Sequence, residues 1–187
     1  DRRATPARRA LASQFVGYVL NRGNTPGIPD GLLDVESKSL RAWAAAKAMI
    51  PLYQQGYSPD LILTHSGWGE SMFLKHLFPN TPQLHFLEYF YGAFDGDMVF
   101  EDKLLGISSN EKNIWKKQAL AQIKSLTLLS SLESMDWGIS PTQFQLSQFP
   151  KRIQKRCSII HDGIDINFAK PAKNGALRLP SGTLLKQ

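Results

Sequence analysis

Cysteine is almost missing from this sequence: Cys157 is the only one in 187 residues. That excludes a disulfide framework and a cysteine-based zinc site, and makes a reducing, cytoplasmic compartment the simpler expectation. Also missing is any uninterrupted apolar run of about 18 residues, the length that marks a membrane-crossing helix. The basic start, with Arg2, Arg3, Arg8 and Arg9, does not lead into the apolar core of a signal segment. A soluble chain is expected, with contact at the inner face of a membrane left open. Neither GxxxxGK[ST] nor a GxGxxG after a strand occurs, so a nucleotide triphosphatase or an ordinary dinucleotide enzyme is not indicated. No GxSxG elbow is present either. His65 and Glu70 are not spaced as ligands on one helical face, and the acidic stretch with Asp95, Asp97, Glu101 and Asp102 lacks the calcium-loop pattern. No metal site is expected.

What is present suffices for a core. With 42% hydrophobic and 10% aromatic residues, a chain of this length buries a sizeable interior as one domain. The 22 Lys and Arg outweigh the 16 Asp and Glu for a net charge of +6, which favours phosphates, acidic sugars or anionic lipid surfaces. The charges are scattered, however, as on an ordinary solvated surface. The second basic cluster, Lys151, Arg152, Lys155 and Arg156, has no interleaved aromatics, so no nucleic-acid partner is expected.

Along the chain, residues 1–14 read as a basic, Ala-rich helix or arm, Phe15 to Leu20 as a strand, and Asn21 to Gly31, crowded with Gly and Pro, as a loop. Ser39 to Gln55 reads as a helix with Leu40, Trp43, Ala44, Lys47 and Ala48 along its apolar stripe, kinked by Pro51 and stopped by Gly56. Strand and helix then alternate: strand Leu61 to Thr64, helix Glu70 to Phe78, strand Gln83 to Glu88. Ser108 and Glu111 form a capping box for a helix to about Ser131, with Ile114, Trp115, Ala119, Ile123 and Leu126 inward. Trp137 to Ile139 is a strand, Ser140 and Pro141 the start of a helix, and Cys157 to Ile160 the last strand.

This alternation predicts an α/β fold, a Rossmann-like parallel sheet covered by helices on both faces. Right-handed crossovers then bring the strand ends Thr64, Glu88, Ser140 and Ile160 to one edge, together with the turns HSGWGE, EYFYG, SPTQ and HDGID. Such an edge is where open α/β sheets bind ligands. His65 can carry a proton or contact a phosphate, Gly67 and Gly69 allow close backbone approach, and Trp68 offers a flat face to a sugar. A turn histidine and a core tryptophan satisfy the same pattern. Glu88 ends an apolar strand, where a carboxylate needs a partner or a site. His161, Asp162 and Gly163 fit a site or a plain turn.

The segments HSGWGESMFLKHLFPNTPQLHFLEYFY, SLESMDWGISPTQFQLSQFP and CSIIHDGIDINFAKP, in this order and spacing, resemble the amino-terminal domain of glycosyltransferase family 4 proteins. The likeness, from about Tyr57 to Pro171, is to the group with an H-x-GWGE turn and a W-G-[IV]-SPT-x-x-Q segment. It implies one half of a GT-B fold, with residues 1–34 a basic arm and irregular start, 35–171 an acceptor-side domain, and 172–187 the start of the linker to an absent carboxyl-terminal donor domain. It further implies a retaining enzyme moving a sugar from a nucleotide-sugar donor to a glycan or lipid-linked acceptor, inactive as this fragment, with no cofactor held by this chain. Carried over, His65 and Glu88 are the catalytic candidates, Glu88 standing where many relatives place a histidine. Gly67, Trp68, Gly69, Glu70, Tyr89, Ser140, Thr142, His161, Asp162 and Gly163 are the substrate-binding candidates. Ser66 stands where the group has Pro, which predicts a looser turn. The alternative is a non-catalytic carbohydrate- or partner-binding module of the same fold.

Overall fold

The computed structural model describes residues 15–92, 111–171 and 175–186. Four short strands, β1 (Ile62–His65), β2 (Gln83–Phe86), β3 (Trp137–Ser140) and β4 (Cys157–Ile159), form one parallel sheet in the order β1-β2-β3-β4. The helices are α1 (Asp30–Gln54), α2 (Leu74–Leu77), α3 (Glu111–Glu133), α4 (Gln143–Ser147) and α5 (Lys151–Gln154). This is a Rossmann-like α/β fold. An antiparallel hairpin, β5 (Ala176–Arg178) with β6 (Leu184–Lys186), lies within the residues read as linker. The arm 1–14, the acidic stretch 95–102 and the capping box at Ser108 lie outside the described residues.

Parallel strands added always in the same direction are expected, by the right-handed crossover rule, to carry their connections on one side of the sheet. The side chains follow. Gln83, His85, Gly138 and Ser140 point to one face and are buried, and Leu87 continues that face into a cluster with Leu128 and Leu132 of α3, Met135, Phe149, and Ile153 of α5. Gly138 is required there, because a Cβ would overlap Leu87 Cδ1 and crowd Cys157 Sγ. The opposite face carries Leu63, Leu84 and Trp137 side by side, with Leu63 69% and Trp137 46% exposed. Cover on both faces is therefore not found among the described residues.

Four local expectations are corrected. Phe15 to Leu20 forms no strand and runs beside α1, where Val19 and Leu20 share a cavity with Leu40 and Trp43. α1 starts at Asp30, and its buried stripe is Lys38, Ala42 and Ala46. That stripe is two residues out of phase with Leu40, Ala44 and Ala48, so at about 100° per residue it occupies nearly the opposite face. In α3 the buried positions are Ala121, Ser125, Thr127, Leu128, Ser131 and Leu132, while Trp115 and Leu126 are exposed. The Ser131 hydroxyl on that side is satisfied by Thr127 O at 3.1 Å. Finally, Thr142, not Ser140, caps α4, its Oγ1 accepting from Gln145 N at 3.1 Å.

Candidate functional site

At the end of β1 the chain turns through Ser66–Trp68, a single 3₁₀ turn, then Gly69, then a second 3₁₀ turn over Glu70–Phe73 before α2. The regular helix read for Glu70 to Phe78 is thus 3₁₀ in its first half, Glu70–Phe73, and α-helical only over Leu74–Leu77. Gly69 has φ +97°, and a Cβ on it would stand 2.5 Å from the Lys38 carbonyl oxygen of α1. A left-handed turn pressed against another backbone admits only glycine. The turn is therefore fixed to α1 as well as to the sheet.

His65 sits at the head of this turn. Its Nδ1 accepts from Gly67 N at 3.2 Å, and because a backbone N–H only donates, the ring proton is on Nε2. That N–H points at Glu88 Oε2, 3.2 Å away beyond the end of β2. The apolar strand ending in Glu88 thus finds its carboxylate a partner at the exposed edge. Trp68, 62% exposed, has its ring 5.3 Å from that of His65, and the Phe86 ring lies 5.9 Å from the same imidazole. With both ring nitrogens engaged, His65 holds a donor and a carboxylate in place; neither nitrogen is available as a base until one bond breaks.

Beneath the turn runs a buried polar string. His85 Nε2 donates to Gln83 Oε1 at 3.0 Å, so its Nδ1 accepts from the Ser66 hydroxyl at 2.9 Å. Burial pushes the His85 imidazole down from 6.5 to about 4, opposed by the charge of Asp136 and assisted by those of Arg156 and Lys75. His85 is therefore a neutral structural bridge. Ser66, expected to loosen the turn in place of proline, ties it to β2.

Around the predicted Gly67, Trp68 and Glu70 the structure also assembles Tyr18, Lys38, Arg41 and Tyr91, which sequence reasoning missed. Tyr18 Oη donates to Glu70 Oε1 at 2.5 Å. Together with Lys38, Arg41, Gly67, Trp68 and Tyr91 these two line an open pocket of about 500 Å³. Lys38 Nζ bonds Asp34 Oδ2 at 2.6 Å and lies 5.3 Å from the centre of the Tyr91 ring. Burial raises the Tyr91 phenol, with Asp34 adding to the effect. Tyr89, half-exposed, meets Tyr91 edge-to-face at 5.0 Å. One signal was in the sequence: Lys38 and Arg41, three apart, share a helix face.

The remaining candidates do not join this group. Ser140 is fully buried and donates to Leu87 O at 2.9 Å, while Thr142 is spent on its cap. His161 Nδ1 accepts from Gly163 N at 3.0 Å in an exposed turn where Gly163 has φ +81°, and Asp162 is exposed beside it. In a linear strand order, β1 and β4 are three spacings apart, about 14 Å. The four turns form a row along one edge, and only its β1–β2 end is knitted into a site. Among the described residues no three His, Cys, Asp or Glu side chains come together as a metal cage.

A parallel Rossmann-like sheet with an aromatic and polar cluster at the carboxyl ends of its strands has that cluster where open α/β sheets bind ligands. The profile of the glycosyl transferase family 4 group matches residues 4–169, so the chain belongs to that family and is a glycosyltransferase domain. The match takes in residues 4–56, which the likeness read from Tyr57 onward did not reach. Among curated proteins nothing matches the chain.

Proposed function

We propose that this chain forms the acceptor-side wall of a retaining glycosyltransferase that moves a sugar from a nucleotide-sugar donor to a glycan or lipid-linked acceptor. The observation that carries this reading is the exposed Trp68 indole with the His65–Glu88 pair at its edge, at the carboxyl ends of β1 and β2. An indole face takes the apolar face of a pyranose, while the exposed Glu88 carboxylate beside it, held by the His65 ring N–H, accepts from hydroxyl groups. In this reading Glu88 and His65 orient the acceptor hydroxyl, and catalysis rests on positioning and on charge stabilisation of the departing nucleotide phosphate. A second α/β domain grips the nucleotide sugar, and the present chain alone binds without turnover. Ile160, Ile164, Ile166 and Phe168, all exposed beyond β4, offer that domain an apolar seat.

The lone cysteine supports a cytoplasmic location, and the charge of +6 supports peripheral contact with an anionic membrane face. No helix among the described residues is long and apolar enough to cross a membrane. The test is transfer of label from nucleotide sugars to membrane-extracted lipids and glycans by the protein carrying both domains. Transfer with retained anomeric configuration is expected; inversion or no transfer contradicts the reading.

One observation favours a second reading. Both ring nitrogens of His65 are occupied, as suits a binding module with no chemistry of its own. Saccharide binding with no transfer by the two-domain protein would establish it, and measured transfer removes it.

A further inference from the structure

We infer that the pocket between α1 and the Ser66–Trp68 turn binds an anionic group on the acceptor saccharide, a carboxylate or a phosphate, with Arg41 as the residue that recognises it. The inference rests on the acceptor-side reading and narrows the class of acceptor. Of the charged groups that meet at this pocket, Lys38 is paired with Asp34 and stacked on Tyr91, and Glu70 is held by Tyr18. Lys124 also lies over the Tyr91 ring, 5.4 Å from its centre. Among the described residues the Arg41 guanidinium has neither a hydrogen-bond nor an ion-pair partner, and it lines the same pocket as Trp68.

A guanidinium presents a planar fork that matches two oxygens of a carboxylate or phosphate at once, which a lysine does not. Its position is also fixed. The α1 backbone at Lys38, one turn before Arg41, is clamped against Gly69, so Arg41 and Trp68 are held at a set separation. A sugar stacked on the indole can then place a ring hydroxyl toward Glu70 and a charged substituent toward Arg41. The volume, about 500 Å³, accommodates a monosaccharide unit with such a substituent. The neighbouring cavity lined by Val19, Leu20 and Trp43 offers no such group on its arginine, because Arg22 is paired with Glu36 at 2.8 Å.

The test is calorimetric titration of the 187-residue chain with glucuronate, glucose 6-phosphate, inorganic phosphate and the neutral methyl glucoside. At least one anionic sugar is expected to bind about tenfold more tightly than the glucoside, and which one tells carboxylate from phosphate. Arg41→Gln should remove that preference, and Arg41→Lys should restore it only in part. Lys47→Gln, which removes a charge from the same helix but lines the neighbouring cavity, should leave the preference intact. A preference that survives Arg41→Gln, or equal binding of charged and neutral sugars, overturns the inference while the acceptor-side reading stands. Inorganic phosphate binding as tightly as the sugar phosphate overturns it too, since the pocket would then be a plain anion site. If no sugar binds at all, both readings fall.

Discussion

Gly69 lies against Lys38, with room for no Cβ: one placed there would stand 2.5 Å from the Lys38 carbonyl oxygen and 2.9 Å from its Cα. This contact fastens the site-bearing turn to α1 and so sets the distance between Trp68 and Arg41. Gly69→Ala must both leave φ +97° and push α1 away. A stability loss of about 3 kcal/mol is expected by chemical denaturation. Gly67→Ala, whose Cβ would come 3.0 Å from His65 Cε1, should cost much less but displace the His65 ring.

The Ser66–His85–Gln83 string makes stability depend on pH. The His85 imidazole is held near 4 in the fold against 6.5 when free, so between these values the unfolded chain binds a proton that the folded one does not. Stability from this group is full above pH 6.5, falls as the pH drops, and is exhausted near pH 4. The loss is up to about 3 kcal/mol. His85→Gln should be less stable at pH 8 yet show a flatter decline through this window, as read by denaturant midpoints at successive pH values. Parallel pH profiles for the two proteins would count against a neutral buried His85.

Glu88→Ala separates holding from folding. An exposed ion pair contributes little, so a stability change within about 1 kcal/mol is expected. Freed of its partner, His65 should lose its fixed orientation, and saccharide affinity should drop several-fold. Trp68→Ala should reduce that affinity further. Unchanged binding in both variants would place the sugar elsewhere.

Ser140→Ala and Thr142→Ala are expected to behave in the opposite way. The first removes a buried hydrogen bond between β3 and the end of β2, and the second removes the cap of α4. Each should cost about 1 kcal/mol of stability and leave saccharide binding intact. Lost binding in a folded Ser140 variant would restore that residue to the site.

How much of this was legible follows from how local each signal is. Leu61 to Thr64 and Gln83 to Glu88 are short apolar runs closed by turn residues; the first strand lies one residue further on, at Ile62–His65, and the second ends two residues earlier, at Phe86. The start of α1 was missed because Gly27, Pro29 and Gly31 look like loop, yet Pro29, with φ −57°, is compatible with a helix entrance. Its buried face was misjudged because that face carries Lys38, a charge a single sequence places in solvent. Likewise four of the six buried positions of α3, Ala121, Ser125, Thr127 and Ser131, are small or polar, whereas the larger Trp115 and Leu126 are exposed. In the site, the HSGWGE turn announced itself through its glycines. The His65–Glu88 bond and the Tyr18–Glu70 bond depend on segments 23 and 52 residues apart, which only the folded chain brings together.

The most direct test follows the indole N–H resonance of Trp68, assigned by Trp68→Phe, while the chain is titrated separately with saccharides and with a nucleotide sugar. If this is the acceptor-side wall, saccharides shift that resonance and the nucleotide sugar leaves it in place. A shift produced by the nucleotide sugar alone would contradict the account.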